Sequence, residues 1–342
     1  MYKVKIIYDD LEVLSHIVNN ADPPISITNI SNILDMPRVK VSRILRRLEK
    51  NWWISIALNI DRICYRKLMV LSKKSPGSNI LRRVVFVGKT IEDKYVYVFL
   101  VPSIIDIQCI LDGIEEVVGY YIFDKIYYNK PLFKKYFHNE YIVVDLKSIL
   151  LDIASKVYVG GYAGKGINVK YIQSEESSGC FPLNVVDKRI IRLLVDNGLL
   201  SSRLLGRRIG LNRNRIDRRI KSLVKNGVFN GFTVGYNRIR DMGEQLFWIV
   251  FIIGFDDPES ALYFIERLVT VPFIGHLEYN SYHNIIKLVL RVYKNNIGYV
   301  YDIAKIIAEN FDVIDTIIVS TRTAKFFPDN ILSNNIFHVR IN

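Results

Sequence analysis

Cysteine is scarce in this chain of 342 residues: there are three, Cys64, Cys109 and Cys180, and they lie far apart. None belongs to a CxxC pair or lies near histidines at a spacing that holds zinc, so the sequence predicts no metal site. The scarcity suits a reducing compartment, and we expect a cytoplasmic protein.

Long hydrophobic runs are also missing. The opening residues, MYKVKIIYDD, lack the apolar core of a signal peptide. The most apolar run, LFWIVFIIGF (246–255), is about half the length of a membrane-spanning helix and suits a buried strand. We therefore expect no membrane partner.

Acidic residues are outnumbered, since 34 aspartates and glutamates stand against 47 lysines and arginines. The net charge is +13 and the sequence pI is about 9.4. This balance favours a polyanion as partner, although a heat-adapted, lysine- and arginine-rich surface is the alternative. Where the charges lie therefore matters more than their sum.

One pattern of apolar positions occurs twice, 175 residues apart. ISITNISNILDMPRVKVSRILRRLEKNWWI (25–54) aligns with LSSRLLGRRIGLNRNRIDRRIKSLVKNGVF (200–229). Upstream, DLEVLSHIVNNAD aligns with DKRIIRLLVDNG, and the leading Asp10 and Asp187 are expected as helix N-caps. Each copy predicts three helices separated by short breaks.

The third predicted helix is basic on the same face in both copies. In the first copy that face carries Arg43, Arg46, Arg47 and Lys50, and in the second it carries Arg215, Arg218 and Arg219. Apolar residues at helical spacing occupy another face. This is the pattern of a helix-turn-helix whose third helix enters the major groove. A helix hairpin with a solvated charged face is the alternative.

After the second helical copy, the sequence predicts strand, helix, two strands, helix and strand, which is the ferredoxin-like order. The segments are 244–255, 257–271, 273–282, 284–294, 296–311 and 313–327. The first copy predicts a looser version, with strands at 94–102, 119–128, 140–146 and 166–173 and helices at 104–117 and 147–157. The segment CYRKLMVLSKKSPGSN (64–79) is predicted as an elongated wing or an extra hairpin.

The predicted fold is α+β, with two winged helix-turn-helix domains and two ferredoxin-like βαββαβ domains in tandem. The expected divisions are an N-terminal winged helix-turn-helix (1–75), a first ferredoxin-like domain (80–173), a linker (174–182), a second helix-turn-helix (183–240), a second ferredoxin-like domain (244–328) and a C-terminal tail (329–342).

Residues 186–237 resemble the N-terminal domain of Lrp/AsnC regulators, the leucine-responsive and asparagine-regulator family, in an archaeal-like form. The resemblance rests on the DKRIIRLLVDNG opening, the LLGRRIGL second helix and the RRIKSLVKNGVFNGFT exit. The following residues, through Phe327, are similar to that family's effector and oligomerisation domain. The resemblance implies a sequence-specific DNA-binding transcriptional regulator, with the family's dimer imitated inside one chain by two non-identical DNA-reading heads.

The resemblance also implies which residues contact double-stranded DNA. In the first copy they are Arg38, Lys40, Ser42, Arg43, Arg46 and Arg47. In the second they are Asn212, Arg213, Asn214, Arg215, Arg218 and Arg219. Arg203, Arg207 and Arg208 on the second helix are expected to hold the DNA backbone. Arginine suits this work because its fork bonds guanine edges or phosphates bidentately. Asp217 is left open between a neighbouring arginine and a cytosine amine.

The other expected partners are a second copy of the chain, through the ferredoxin-like domains, and a small-molecule effector. Amino-acid-sensing members tend to have a Gly-Asp-Tyr-Asp-like turn, but the aligned residues here are Asn280, Ser281, Tyr282 and His283. A different effector, or none, is therefore expected, and the sequence predicts no cofactor.

Two other functions are kept as alternatives. Sirohaem decarboxylases resemble Lrp/AsnC proteins and also occur as fused halves, and His276, His283 and Arg291 are the residues that would face their pocket. That enzyme family's histidine-rich strand pattern is not found in 276–293, so no catalytic residue is predicted. A non-specific architectural DNA-binding protein is the second alternative.

Overall fold

The computed structural model describes residues 2–159, 179–236, 245–327 and 330–332. The predicted strand at 166–173 and most of the predicted linker and tail lie outside these residues. The α+β class is confirmed, since helices and four antiparallel sheets make up the described chain.

The helices and strands up to residue 159 come in the following order. They are β1 (Tyr2–Lys5), α1 (Tyr8–Asn20), α2 (Ile27–Ile33), α3 (Arg38–Asn51), β2 (Trp52–Leu58), β3 (Tyr65–Ser72), α4 (Ser78–Leu81), β4 (Phe86–Lys89), β5 (Tyr95–Pro102), α5 (Gln108–Leu111), β6 (Val117–Phe123), β7 (Lys125–Tyr127), β8 (Phe137–His138), β9 (Tyr141–Val144) and α6 (Leu146–Val159).

The later elements follow the same plan of helices first and a sheet afterwards. They are α7 (Val185–Asp196), α8 (Ser202–Ile209), α9 (Arg213–Lys225), β10 (Phe229–Tyr236), β11 (Gln245–Gly254), α10 (Pro258–Val269), β12 (Leu277–Asn280), β13 (Ile285–Tyr293), α11 (Ile297–Asn310), β14 (Asp312–Ser320) and β15 (Lys325–Phe326). We call α1 to α3 the first helical unit and α7 to α9 the second helical unit.

The two helical units make the same local hydrogen bonds at positions 175 residues apart. Ser26 caps α2 by accepting the Asn29 N–H, and Ser201 caps α8 by accepting the Leu204 N–H. The break before the third helix is also alike: the Met36 N–H donates to the Ser31 carbonyl at 3.0 Å, and the Leu211 N–H donates to the Gly206 carbonyl at 2.9 Å. In α9 the buried residues are Ile216, Ile220 and Leu223, as the apolar spacing predicts, whereas in α3 they are Val41, Ile44 and Leu48, and Leu45 is half-buried.

The third helices end differently. α3 runs into β2 without a break, and Trp52 is already extended. α9 is followed by Gly227, which has a φ of +67°, and by Val228 before β10 begins. Glycine suits that left-handed position because it has no Cβ. Tryptophan at position 52 removes this option, so the first unit has a shorter connection.

The second sheet has the predicted ferredoxin-like order. Its strands lie in the order β14-β11-β13-β12, all neighbours are antiparallel, and α10 and α11 are the two crossover helices. Buried apolar side chains of β11 and β13 pack against Phe264 and Ile303 of these helices within one core.

The first sheet has the same order but uses different strands from those predicted. Its order is β4-β5-β3-β6, so β3 is the first strand of the ferredoxin-like arrangement, and 94–102 supplies the third. The prediction of an elongated wing or an extra hairpin at 64–79 is therefore wrong. The first ferredoxin-like domain begins before residue 80, where the sequence prediction placed its start. The strand was not recognised because Leu68, Met69, Val70 and Leu71 are all buried. A central strand that is covered on both faces shows no alternation of polar and apolar residues.

The segments at 140–146 and 147–157 are predicted to complete the first ferredoxin-like domain, but they lie elsewhere. β9 joins β1 and β8 in a separate three-stranded sheet. α6 packs against α10 and α11, where Lys147 pairs with Asp302 and the Arg267 guanidinium lies 2.9 Å from the Asp152 carboxylate. The second ferredoxin-like domain thus carries a helix from the first half.

Each five-stranded sheet contains one strand from the other half of the chain. β7 pairs with β12, with Tyr127 opposite Leu277, and β15 pairs with β4, with Phe326 opposite Phe86. The two ferredoxin-like arrangements are therefore joined by backbone ladders within one chain as well as by side-chain packing.

Candidate nucleic-acid interface

The two helical units are joined by an antiparallel ladder between β2 and β10. Trp52 lies opposite Tyr236 at one end, and Leu58 lies opposite Phe229 at the other. Each strand is the next element after the third helix of its own unit, so equivalent strands pair with each other, and they run antiparallel. Such a self-complementary ladder is what a twofold axis between two equivalent units produces.

Contacts on either side of the ladder are reciprocal. α1 of the first unit packs on β10, and α7 of the second unit packs on β2. The Gly198 N–H donates to the Ile54 carbonyl at 2.8 Å, and a Cβ at this glycine would lie 3.1 Å from the backbone of Ile54 and Ser55. Close backbone approach thus fixes the position of the second unit against the first.

Most of the predicted DNA-contacting residues on the third helices are exposed. In α3 the exposed ones are Arg38, Lys40, Arg43, Arg46 and Arg47, and Ser42 is half-buried. At α9 they are Asn212, Arg213, Asn214, Arg215 and Arg218, and Arg219 is half-buried. Arg203, Arg207 and Arg208 of α8 are exposed too. Each unit therefore presents cationic side chains along its third helix, and the second unit adds those of α8.

Two of these arginines are engaged inside their own unit. Arg219 donates to both carboxylate oxygens of Asp187, one at 2.8 Å, and Asp187 is fully buried. Arg47 donates to both oxygens of Asp10, at 2.5 and 3.1 Å. The hydrogen bond to Asp187 raises the pKa of Arg219, and the bond to Asp10 does the same for Arg47. Both arginines tie the third helix to the first turn of the first helix.

The aspartates themselves are not N-caps, contrary to the sequence prediction. The N-cap of α7 is Asn184, and Asp187 completes a capping box by accepting the Asn184 N–H. The N-cap of α1 is Ile7, and Asp10 lies three residues further along. The prediction differs by one turn because a first-turn carboxylate and a capping carboxylate look alike in a single sequence.

Three further polar side chains at the third helices have partners. Lys40 lies 2.7 Å from Asp9 and Arg213 lies 3.4 Å from Asp217, in both cases between solvent-accessible groups. The neighbouring-arginine alternative for Asp217 is thus the one that the structure shows. Asn212 is the N-cap of α9 and accepts the Arg215 N–H at 2.9 Å.

The exposed surface of α3 also carries an apolar residue that the sequence prediction does not name. Val39, the second residue of the helix, is 62% exposed between Arg38 and Lys40. An apolar side chain between two exposed cations, Arg38 and Lys40, is the signal that could have drawn attention to it.

Two of the three residues of the enzyme alternative, His276 and His283, are separated by the length of β12. His276 and His283 lie at opposite ends of β12, and His283 is exposed in the turn. Arg291 lies near Gly235 of β10, further along β13.

His276, which is half-buried, belongs to a charged cluster between the two ferredoxin-like sheets, together with the buried Glu278 and Lys287 and the half-buried Lys67. The Glu278 carboxylate is 2.5 Å from Lys67 Nζ, 3.0 Å from Lys287 Nζ and 2.9 Å from His276 Nε2. Burial acts to raise the pKa of Glu278, but the charges of Lys287 and Lys67 outweigh it and hold the pKa well below its usual range. Burial lowers the pKa of Lys287 to about 8. These groups satisfy one another across the interface.

Two cysteines that lie far apart in the sequence are joined. Cys64, in the turn before β3, forms a disulfide with Cys180, just before α7, and Cys109 is a free exposed thiol. Near the disulfide, the Phe181 N–H donates to the Arg62 carbonyl, and Arg62 Nε donates to the Asn226 carbonyl at 2.8 Å. The disulfide thus attaches the start of the second helical unit to the first half of the chain.

Neither a cluster of metal-ligating side chains nor a membrane-spanning helix is found in the described part of the chain. No set of histidine, cysteine, aspartate and glutamate side chains in the described ranges is grouped to hold a metal ion. Among the helices that the structure describes, none combines the length and apolar character needed to cross a bilayer.

Part of the chain matches a family model. Residues 183–229, which span the second helical unit and the start of β10, match the model of a winged helix-turn-helix DNA-binding domain. Among curated proteins, none matches this chain.

Two solved structures are similar to this chain over different lengths. A crystal structure of a siroheme decarboxylase aligns over 96% of both chains with 13% identity and a TM-score of 0.47. A transcriptional regulatory protein of the AsnC family from Pyrococcus furiosus aligns over 34% of this chain and 88% of its own, with 18% identity and a TM-score of 0.24. Likeness at this level does not indicate a shared activity.

Proposed function

We propose that this protein is a sequence-specific DNA-binding transcriptional regulator of Lrp/AsnC type, built as an intrachain pseudo-dimer with two non-identical DNA-reading heads. The observation that carries the proposal is the self-complementary β2–β10 ladder, which joins two helical units whose third helices are both exposed and cationic. The match of a winged helix-turn-helix DNA-binding model to residues 183–229 supports it. The repeated hydrogen bonds at a spacing of 175 residues support a tandem duplication as its origin.

Each head would insert its third helix into the major groove, because the groove is wide enough for a helix. Two heads on one duplex face require half-sites about 10 bp apart, or a multiple of this spacing. The heads differ in sequence, so the operator need not be palindromic. The exposed arginines of α8 would hold phosphates beside the second head and fix its register.

The structure changes which arginines test the proposal. Arg219 holds a buried carboxylate, so its removal would disturb folding as well as binding. Arg215 and Arg218 are exposed, and we propose that they contact DNA. Arg215→Ala combined with Arg218→Ala should abolish specific binding, and the thermal unfolding temperature should stay unchanged.

A matched control removes equal charge outside the helical units. Lys294→Ala combined with Lys305→Ala removes two exposed cations from the second ferredoxin-like domain. Affinity for genomic fragments, measured across a salt series, should drop only for the arginine pair. The log–log salt slope should also become shallower by about 0.9 for each phosphate that is no longer neutralised. An equal drop in affinity for both variants would contradict the assignment of α9.

Two measurements separate the proposal from its alternatives. Equal affinity for unrelated duplexes would indicate a non-specific architectural DNA-binding protein. A shift in the absorption spectrum of sirohaem on mixing with the purified protein would favour the decarboxylase. Under the proposal the chain has no catalytic residue, and its effector and dimer partner would bind through the ferredoxin-like domains.

A further inference from the structure

The first turns of the two third helices differ at one exposed position. Val39 is the second residue of α3, and Asn214 is the second residue of α9. The alignment is supported by burial, because Val41 and Ile216, two residues further along, are both fully buried. Positions 39 and 214 therefore occupy the same place on their helices, and both side chains are exposed.

The surroundings of Val39 give no structural reason for an apolar side chain. It is 62% exposed, it is not part of the hydrophobic cores, and both of its neighbours in sequence are exposed cations. A β-branched side chain is also no help to an exposed helix turn, because valine is a weaker helix former than alanine or lysine. Val39 is rigid about χ1, so it presents its methyl groups in a fixed direction.

Asn214 offers different chemistry at the same place. Its side chain is exposed and, in the part of the chain that the structure describes, no hydrogen bond to it is found. Asn212, two residues earlier, already accepts the Arg215 N–H as the helix cap. Of these two asparagines, only Asn214 has both its amide donors and its acceptor available for a ligand.

We propose that this position sets the difference in base preference between the two heads, with Val39 taking a thymine methyl group and Asn214 an adenine. The inference rests on the proposed DNA-binding function. The first turn of a helix-turn-helix recognition helix contacts base edges. In the major groove an apolar side chain matches only the C5-methyl of thymine, whereas asparagine matches the N6 donor and N7 acceptor of adenine.

The first experiment selects binding sites for the full chain from a randomised duplex library, for the native protein and for single variants. Asn214→Ala should lose roughly tenfold in preference for adenine at one base pair of one half-site. Val39→Ala should lose roughly threefold in preference for thymine at one base pair of the other, since an apolar contact is weaker. Val39→Asn should change that preference from thymine to adenine.

The second experiment removes only the methyl group. In the selected duplex, the thymine assigned to Val39 is replaced by uracil, which lacks the C5-methyl and keeps the same pairing. The native protein should lose roughly threefold in affinity, and Val39→Ala, whose shorter side chain makes less contact with the methyl group, should lose clearly less. Ile33→Ala, at another exposed apolar residue but on α2, is the control and should respond to the uracil as the native protein does.

The outcomes separate this inference from the function on which it rests. If the native chain selects no sequence from the library, the proposed function fails and the inference fails with it. If it selects a site but the native protein and Val39→Ala respond equally to the uracil, the proposed function stands and the assignment of Val39 is overturned. An unchanged base preference in Asn214→Ala would overturn the assignment of Asn214 in the same way.

Discussion

Arg219 of α9 binds both carboxylate oxygens of Asp187, which is fully buried in the first turn of α7. The first helical unit makes the same tie from a different place. By the alignment of 175 residues, Ile44 stands where Arg219 is, and Arg47, about one helical turn further along α3, binds Asp10. The tie between the first and third helices is thus kept although its position has moved.

Removal of Arg219 should destabilise the protein. Arg219→Ala leaves the Asp187 carboxylate buried without its cation, which costs about 3 kcal/mol in the free energy of unfolding. Urea unfolding measures the loss. The control is Arg213→Ala, whose pair with Asp217 is exposed, and this should cost below about 1 kcal/mol. Similar losses in the two variants would show that the Asp187 pair does not stabilise the fold.

Gly206 should tolerate no side chain, because a Cβ there would lie 2.5 Å from the Leu211 carbonyl oxygen. The break between α8 and α9 cannot move without losing the Leu211 N–H bond to Gly206. Gly206→Ala should therefore lower the free energy of unfolding by about 2 kcal/mol. Gly77→Ala, where a Cβ would have nothing within 4 Å, is the control and should be nearly neutral in urea unfolding.

Acid should weaken the interface between the ferredoxin-like sheets. The pKa of Glu278 lies well below its usual value of 4.5, owing to Lys287 and Lys67 against the opposing effect of burial. The unfolded chain therefore takes up this proton at a higher pH than the folded chain, so the stabilisation is present above about pH 4.5 and is lost as the pH falls through the folded pKa.

This pH dependence can be measured by urea unfolding at pH 7 and at pH 3.5. Glu278→Gln should be less stable than the native protein at pH 7, because it leaves the buried Lys287 and the half-buried Lys67 without a carboxylate, and it should lose less on acidification. Glu309→Gln, at an exposed carboxylate, should keep the native pH dependence. A steep acid loss that persists in Glu278→Gln would contradict the role given to this residue.

Reduction of the disulfide should lower the stability of the chain. Cys64 and Cys180 close a loop of 116 residues, and opening such a loop typically costs about 3 kcal/mol. Thermal unfolding with and without reductant tests this, and Cys109→Ala should leave the difference intact. Alkylation of the denatured, unreduced protein should modify one cysteine. Modification of all three would show that the disulfide is not formed.

The helical units could be predicted from the sequence because their signals are local. Period 3.6 placed the apolar faces of α3 and α9, and Ser201, Gly210 and Asn212 marked ends of α8 and α9. The second ferredoxin-like domain followed from strand and helix patterns in a continuous run. β3 was missed for two reasons. It is buried on both faces and so shows no alternation, and the lysines near its ends make its sequence resemble a basic loop.

The remaining features depend on residues that are distant in sequence. Nothing near Lys125 or Phe326 indicates that β7 and β15 cross to the other half, because partner choice in a sheet depends on the whole fold. Arg219 and Arg218 are neighbours with the same chemistry, and only the three-dimensional position of Asp187 shows which one is engaged. Two separated cysteines likewise give no sign of pairing.

The exchanged strands have a consequence for synthesis of the protein. The sheet of the first half ends in β15, which begins at residue 325, and β2 pairs with a strand that begins at residue 229. At about 5–20 residues per second, a ribosome that has made β2 needs on the order of tens of seconds to reach β15. The open edge of β2 stays unpaired until β10 is made, and that of β4 until β15 is made, and an unpaired edge is prone to wrong partners. The nascent first half must therefore be shielded, or remain loosely formed, until β10 and β15 have been translated.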